Sequence, residues 1–286
     1  MSHVADVCRL CAHARMKPTC VQRVLGRHDV RYFHCPACDL MQTEPPHWLD
    51  EAYARRGPSL DTGAIQRTQN NTDLVRAIAT LLNIQAGEPC LDYGAGPGIL
   101  VRAMRDAGVD FRWHDRYAQN LFAQGFEGSI NQPHRLVTAF EVWEHLPDVA
   151  PALETFFAPR HDFLFISTFL HRGGHRDNWW YYVPETGQHV AFFSAKTMAC
   201  VAERFGYEAI IAPRYTLFRR RDVAVATWRW SLIRQLLSRA KPSANSRLVR
   251  AVLWLSPTLA SLTWSDHVML RERANDDNSI PTRHAA

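Results

Sequence analysis

The sequence predicts a doubly wound α/β domain, with a small cysteine-knuckle ribbon before it and a basic helical extension behind it. Three observations carry that reading. Strand-like apolar runs alternate with helix-like amphipathic runs through the middle of the chain. The stretch "CLDYGAGPGIL" (90–100) reads as a strand entering a glycine turn and then a helix. Two C-x-x-C pairs stand near the N-terminus.

Taken in order, Cys8-Arg9-Leu10-Cys11 and Cys35-Pro36-Ala37-Cys38 each put two thiols on one tight knuckle. Two such knuckles complete a tetrahedral shell for Zn²⁺. The 23 residues between the pairs slightly exceed the usual ribbon interval, and "CVQRVLGRHDVRYFHC" reads as two strands around Gly26. With Cys8, Cys11, Cys35 and Cys38 all bound, no position is left for substrate, so the expected role is structural. A redox dithiol is the alternative, which two matched pairs disfavour. The ribbon is expected over 1–42, holding itself together apart from the main domain. Residues 43–64, rich in Pro, Gly and charge, read as a linker.

The main domain is expected over 65–221. "NTDLVRAIATLLN" has Leu74, Ile78, Leu81 and Leu82 at helical spacing. "EPCLDY" is a strand, and "ILVRAMRDAG" is a helix closed by Gly108. "DFRWHD" is a second strand ending at Asp115. "RLVTAFEV" and "DFLFIS" are further strands, with the helix-like "VAPALETFF" between them. "SAKTMACVAERFGY" is a helix capped by Ser194, and "EAIIAP" and "YTLFRR" end the series. The last connection is too short for a parallel crossover, so these two strands pair antiparallel.

Beyond them, 222–272 reads as a basic helical extension and 273–286 as a disordered tail. Trp230, Ile233, Leu236 and Leu237 share one helical face there. Net charge is +5, but ten Arg/Lys against the single acid Asp222 give residues 214–250 a charge of +9, leaving −4 for the rest. That segment suits an anionic membrane surface, nucleic acid, an anionic substrate or plain solvent. A peripheral contact with an anionic membrane is expected through 222–250, with nucleic acid the weaker partner. No signal-like apolar region opens the chain, and the apolar run 248–264 is broken by Arg250 and Pro257, so a cytoplasmic location, peripheral at the inner membrane, is expected.

The glycines at 94, 96 and 98 are spaced G-x-G-x-G, whereas a dinucleotide turn wants G-x-G-x-x-G. A ligand without a pyrophosphate needs only close backbone approach at such a turn. Asp115, at the end of the next strand, is placed to accept ribose hydroxyl protons, with a helix N-cap as its alternative role.

Together, "LDYGAGPG", "WHD" and "TAFEVWEHLPD" resemble the class I S-adenosylmethionine (SAM)-dependent methyltransferases. "NWWYYVPETGQHVAFFSAKTM" and the cysteine knuckles resemble a narrower bacterial group that joins a zinc ribbon to that fold, in nucleotide-sugar and surface-polysaccharide pathways. The likeness covers most of residues 8–220, and "SLTWSDHVML" fits it too. It implies a doubly wound seven-stranded sheet with a reversed last hairpin, and SAM held by Asp92, Gly94, Gly96, Gly98, Asp115 and Glu141. It also places Glu144 and His145 toward the acceptor. A His titrating near neutrality would be the natural base, a structural His145 is the alternative, and His189 or Glu144 would then take its place.

His171, His175, Trp179, Trp180, Tyr181, Tyr182 and His189 lie on a stretch read as a loop over the pocket, with Gly173-Gly174 as its hinge. The expected function is methylation of a saccharide, at oxygen or carbon, in bacterial surface polysaccharide synthesis. An RNA methyltransferase is the second reading, disfavoured by a ribbon without a Lys/Arg cluster. A non-catalytic SAM-binding module is the third, disfavoured by the intact glycines and Asp115.

Overall fold

The structure, a computed structural model, describes residues 7–54, 63–173, 179–238, 247–255 and 259–279. Its N-terminal hairpin pairs β1 (Lys17–Val24) with β2 (His28–His34), and β2 with β3 (Met41–Thr43), all antiparallel. Helices α1 (Leu49–Ala54) and α2 (Ala64–Leu81) lead to β4 (Cys90–Tyr93), the strand before the glycine turn. Then follow α3 (Ile99–Asp106), β5 (Phe111–His114), β6 (Leu136–Phe140), α4 (Val149–Phe157) and β7 (Phe163–Ser167). After β8 (Ala191–Phe192) come α5 (Ala195–Phe205), β9 (Tyr207–Ile211) and β10 (Tyr215–Arg220).

The main sheet has the order β5-β4-β6-β7-β10-β9. Strands β4, β6 and β7 are buried along almost their whole length, and this is why they read as unbroken apolar runs. They pair in parallel with one another, as β4 does with β5, while β10 runs antiparallel to both β7 and β9. The reversed hairpin expected at the end of the sheet is therefore present. The seventh strand is not: among the described residues the sheet has six, and beyond β5 stands only a single parallel bridge, Trp113 to Glu127. Gly128 follows that bridge directly, a residue that weakens a strand. Helix α5 starts where expected. The Ser194 hydroxyl accepts from the Thr197 N–H at 3.1 Å and the Thr197 hydroxyl from the Ser194 N–H at 3.2 Å, a complete capping box.

The ribbon is not a separate body. Strand β3 pairs antiparallel with β8, which belongs to the main domain, so one four-stranded sheet crosses the expected boundary. Cys8, Cys35 and Cys38 lie in the same apolar cluster as Trp143, Phe193, Met198 and Val201. The stretch expected as a linker also packs over part of its length. Trp48 is buried and its indole N–H donates to the Gly187 carbonyl at 2.8 Å, and Ala52 of α1 is buried beside it. The Pro- and charge-rich composition concealed two apolar anchors whose partners lie far along the chain.

The extension forms α6 (Thr227–Leu237), α7 (Arg247–Leu255) and α8 (Thr263–Ser279). Ile233, Leu236 and Leu237 of α6 and Val249 and Val252 of α7 join the core on the α2 side. Helix α8 runs into the stretch expected as a disordered tail, of which 280–286 lie outside the described residues. It is anchored by Asp266, buried, whose carboxylate takes both Nε (2.8 Å) and Nη2 (2.7 Å) of buried Arg105. The same guanidinium stacks 3.9 Å from the Phe126 ring centre and pairs with Asp110. Without Asp266 the guanidinium would keep Asp110 and the Phe111 carbonyl, so the loss is that of charge-assisted hydrogen bonds and not of a stranded charge. Asp266→Ala should therefore lower unfolding stability by about 1.5–3 kcal/mol in urea titration, and a loss under about 0.5 kcal/mol would show that α8 is not held by this pair.

Candidate active site

Strand β4 delivers the glycine turn to the C-terminal edge of the sheet, where doubly wound folds bind ligands. A cavity of about 310 Å³ opens there, lined by Asp92, Gly94, Gly96 and Glu141 and, from α2, by Arg67 and Asn71. Gly94 has φ +72°, and a Cβ there would stand 2.5 Å from Val142 Cγ2, so only glycine lets the turn approach the strand β6 end. The Gly96 N–H donates to Asp115 Oδ2 at 2.9 Å, and the Gly96 carbonyl accepts from the Trp113 indole at 2.8 Å.

Asp115 also accepts at Oδ1 from the N–H groups of Tyr117 (2.7 Å) and Ala118 (2.8 Å). Its carboxylate thus braces the glycine turn and caps the next one. Asp115 and Gly98, the N-cap of α3 at φ +90°, stand outside the cavity lining, while Asp92, Gly94, Gly96 and Glu141 form it. Asp92 is buried, and burial pushes its carboxyl up to about 7 against the 2.6 Å hydrogen bond it accepts from Thr138. Glu141 takes the left-handed φ +54°, uncommon outside glycine and found where structure is over-determined. Its Oε1 accepts from Ser167 Oγ at 2.7 Å, and Arg214 lies 3.6 Å away. Two carboxylates on one cavity favour a cationic ligand.

Beside Glu141 stand the tight turn Trp143–His145 and the segment before β8. Glu144 is fully buried. Burial, with Glu141 nearby, pushes its carboxyl up to about 8, and its Oε1 accepts from the Tyr181 hydroxyl. Tyr181 also lies 3.4 Å from Glu141 Oε2, so one phenol joins the two glutamates. His145 and His189 stand ring to ring at 4.9 Å, edge to face. Nδ1 of His145 donates to the Gln188 carbonyl (3.1 Å) and Nδ1 of His189 to the Tyr181 carbonyl (2.7 Å). Burial first, then the neighbouring His189, pushes His145 down to about 3. That corrects the expected base: a histidine titrating near neutrality is not what stands at 145. Burial lowers His189 too.

From the same stretch, Trp179 packs against Tyr182 and Phe192, whereas Trp180 turns outward, 64% exposed, against the edge of Phe169. His171 ties to the ribbon through the Asp39 carbonyl at 2.9 Å. Gly174 and His175 lie outside the described residues. Across the cleft Tyr53 of α1 stacks on Tyr117, 5.3 Å between centres.

Sulfur atoms of the four knuckle cysteines all lie within 4.8 Å of one another, with Cys8–Cys38 at 3.5 Å and Cys11–Cys35 at 3.6 Å. A tetrahedron with arms of about 2.3 Å has edges of about 3.8 Å, so four thiols this close suit Zn²⁺ in donor type and number. Between the first two cysteines lies Arg9. Its guanidinium donates to the carbonyls of Pro147 (2.8 Å) and Val190 (2.6 Å), next to the two histidine segments.

The methyltransferase-domain family matches residues 65–211, just over half of the chain. The chain belongs to that family. SAM-dependent methyl transfer is the activity of the domain. Similar solved structures include mitomycin 7-O-methyltransferase MmcR, at 16% identity and TM-score 0.39, covering 52% of this chain and 54% of that one. Another is magnesium protoporphyrin IX methyltransferase (ChlM) from Synechocystis PCC 6803 with bound SAH, at 12% and 0.42, covering 61% and 95%. The methyltransferase domain of a bacterial Hen1 gives 17% and 0.36, covering 52% and 98%. The chain spans about half the length of the mitomycin enzyme. The comparison with curated proteins gave no match.

Sequence reasoning missed Arg67, Asn71, Ser167 and Arg214 in the methyltransferase site. Asn71 left a signal: it sits on the buried face of α2 beside Leu74 and Val75, and it accepts from the Tyr215 hydroxyl at 3.0 Å. The raised Asp92 carboxyl gives a pH test. Its ionised form attracts the sulfonium and ammonium charges of SAM, so affinity should rise between about pH 6 and about pH 8. Ligand-free stability has the opposite sign. A carboxyl with a raised folded pKa favours the protonated fold, so stability falls as pH climbs from the ordinary aspartate range through about 7. Calorimetry should show the affinity rise in the wild type and a flat profile in Asp92→Asn, and the same slope in both would remove Asp92 from the ligand's surroundings.

Proposed function

We propose that this methyltransferase moves the methyl group of SAM to a saccharide on a nucleotide-linked or polymer-linked sugar of the bacterial surface, with a hydroxyl as acceptor in preference to a carbon. The observation that carries the reading is the acceptor wall. Glu144, His145, His189 and Tyr181 meet Glu141 beside the donor cavity, next to the outward indole of Trp180. Sugar rings have apolar C–H faces and polar edges. Trp180 and Phe169 offer aromatic surface to the first, and the carboxylate–imidazole wall offers hydrogen bonds to the second.

Transfer is an in-line displacement. The acceptor oxygen attacks the methyl carbon, the C–S bond breaks with its electrons on sulfur, and S-adenosylhomocysteine leaves. The acceptor proton departs on the side of His145 and His189. In this reading Asp115 keeps lone pairs for the ribose while it braces the turn, and Cys8, Cys11, Cys35 and Cys38 hold a structural zinc.

Labelled methyl from SAM, offered in parallel to nucleotide sugars, lipid-linked glycans and RNA, should enter a saccharide fraction. Label confined to RNA would contradict the proposal. In the active fraction, His189→Ala should lower kcat by about 10²–10⁴ with SAM affinity kept within about twofold. An unchanged kcat would take His189 out of the reaction.

Metal analysis should give one zinc on the cysteines, lost from a Cys35→Ser, Cys38→Ser protein. Because the ribbon shares a core with the main domain, that loss should also lower the melting temperature of the whole chain, where a detached ribbon would leave the main transition unmoved.

A further inference from the structure

Glu144, His145 and His189 each offer one ligand atom, and the three atoms lie within 4.8 Å of one another. Among the described residues, this set and the four cysteines are the groups with metal-holding geometry. The local hydrogen bonds leave one nitrogen of each ring and one carboxylate oxygen available. Both histidines commit Nδ1 as a donor to a backbone carbonyl, so each ring carries its lone pair on Nε2. Anchoring the far nitrogen in this way is how proteins orient metal-bound imidazoles.

Glu144 is likewise held at one oxygen only. Oε1 takes the Tyr181 hydroxyl, while Oε2 is buried and has no hydrogen-bond partner. A buried carboxylate oxygen left unpaired is costly unless a cation or a proton completes it. Glu141, across the same phenol, adds negative charge to the spot, and Arg214 approaches that glutamate on its Oε1 side.

We infer that Glu144, His145 and His189 bind a first-row divalent cation, distinct from the cysteine site and facing the acceptor. Two imidazole nitrogens with one carboxylate oxygen suit Mn²⁺, Fe²⁺, Co²⁺ or Zn²⁺. Three protein ligands leave coordination positions open for substrate. The role of the ion rests on the methyl-transfer reading above. It binds the acceptor hydroxyl and lowers its pKa, and the proton leaves to water. The resulting alkoxide forms the O–CH₃ bond as the C–S bond breaks and its electron pair stays on sulfur. The acceptor atom is then oxygen, not carbon.

The test uses full-length protein that retains its ribbon zinc, dialysed free of loosely held ions and titrated with Co²⁺. One equivalent should bind with the weak visible bands of a nitrogen–oxygen site. Cobalt that entered the cysteines would instead show strong sulfur-to-metal bands in the near ultraviolet. Glu144→Gln and His189→Ala should each lose the visible bands and the metal-dependent rise in melting temperature, while melting like the wild type without added metal.

Wild-type protein that gives only the sulfur bands, or none, overturns the site whatever the variants do. So does Glu144→Gln binding cobalt as well as the wild type, since Glu144 would then be a protonated structural group. The two readings fail separately. Saccharide methylation that survives chelation with the ribbon zinc retained sinks the ion's role and spares the substrate. Cobalt binding in a protein that methylates only RNA does the reverse.

Discussion

The half-buried guanidinium of Arg9 is the contact that ties the ribbon to the segments carrying His145 and His189. It sits between Cys8 and Cys11, so the cysteine cluster fixes its backbone, and its side chain reaches the carbonyls of Pro147 and Val190. Those two residues flank the segments that carry His145 and His189. The backbone joins in: the Ala150 N–H donates to the Arg9 carbonyl at 3.0 Å, and the Val190 N–H donates to the Glu144 carbonyl at 2.8 Å. Burial pulls the guanidinium down to about 10, still charged at neutral pH, so the tie consists of charge-assisted hydrogen bonds. A ribbon that looks like an appendage in the sequence is a wall of the site.

This arrangement divides the labour of the cleft. The cavity at the glycine turn is built by the sheet and α2 together, from the turn after β4, from Glu141 after β6 and from Arg67 and Asn71. The proposed acceptor wall is built where the ribbon sheet reaches β8, with Tyr181 between its Glu144 and Glu141. Changes in the ribbon should therefore act on the acceptor more than on SAM. The helical extension lies elsewhere, against α2 and α3, where Asp266 and Arg105 hold it, and among the described residues none of its basic side chains lines the cavity at the glycine turn.

Legibility in the sequence followed the range of the interactions. Strands β4, β6 and β7 were readable because burial on both faces leaves an apolar run, and the turn at 94–98 because positive φ demands glycine. The four cysteines were readable from their spacing. Trp48 was not, since its partner Gly187 is distant in the chain and its neighbours look like linker. The proton affinity of His145 was not legible, because burial and the ring of His189 are tertiary facts. Asp115 caps a turn and not the helix weighed as its alternative, through N–H groups that only the folded turn brings together.

The most direct measurement is the kinetics of Arg9→Met, a change that keeps the side-chain length and leaves every cysteine in place. The zinc content should stay at one equivalent and the SAM dissociation constant within about twofold, while kcat/KM for the acceptor drops by about tenfold or more, the loss of a charge-assisted tie. An unchanged kcat/KM, or a loss confined to SAM affinity, would contradict the claim that the ribbon builds the acceptor side.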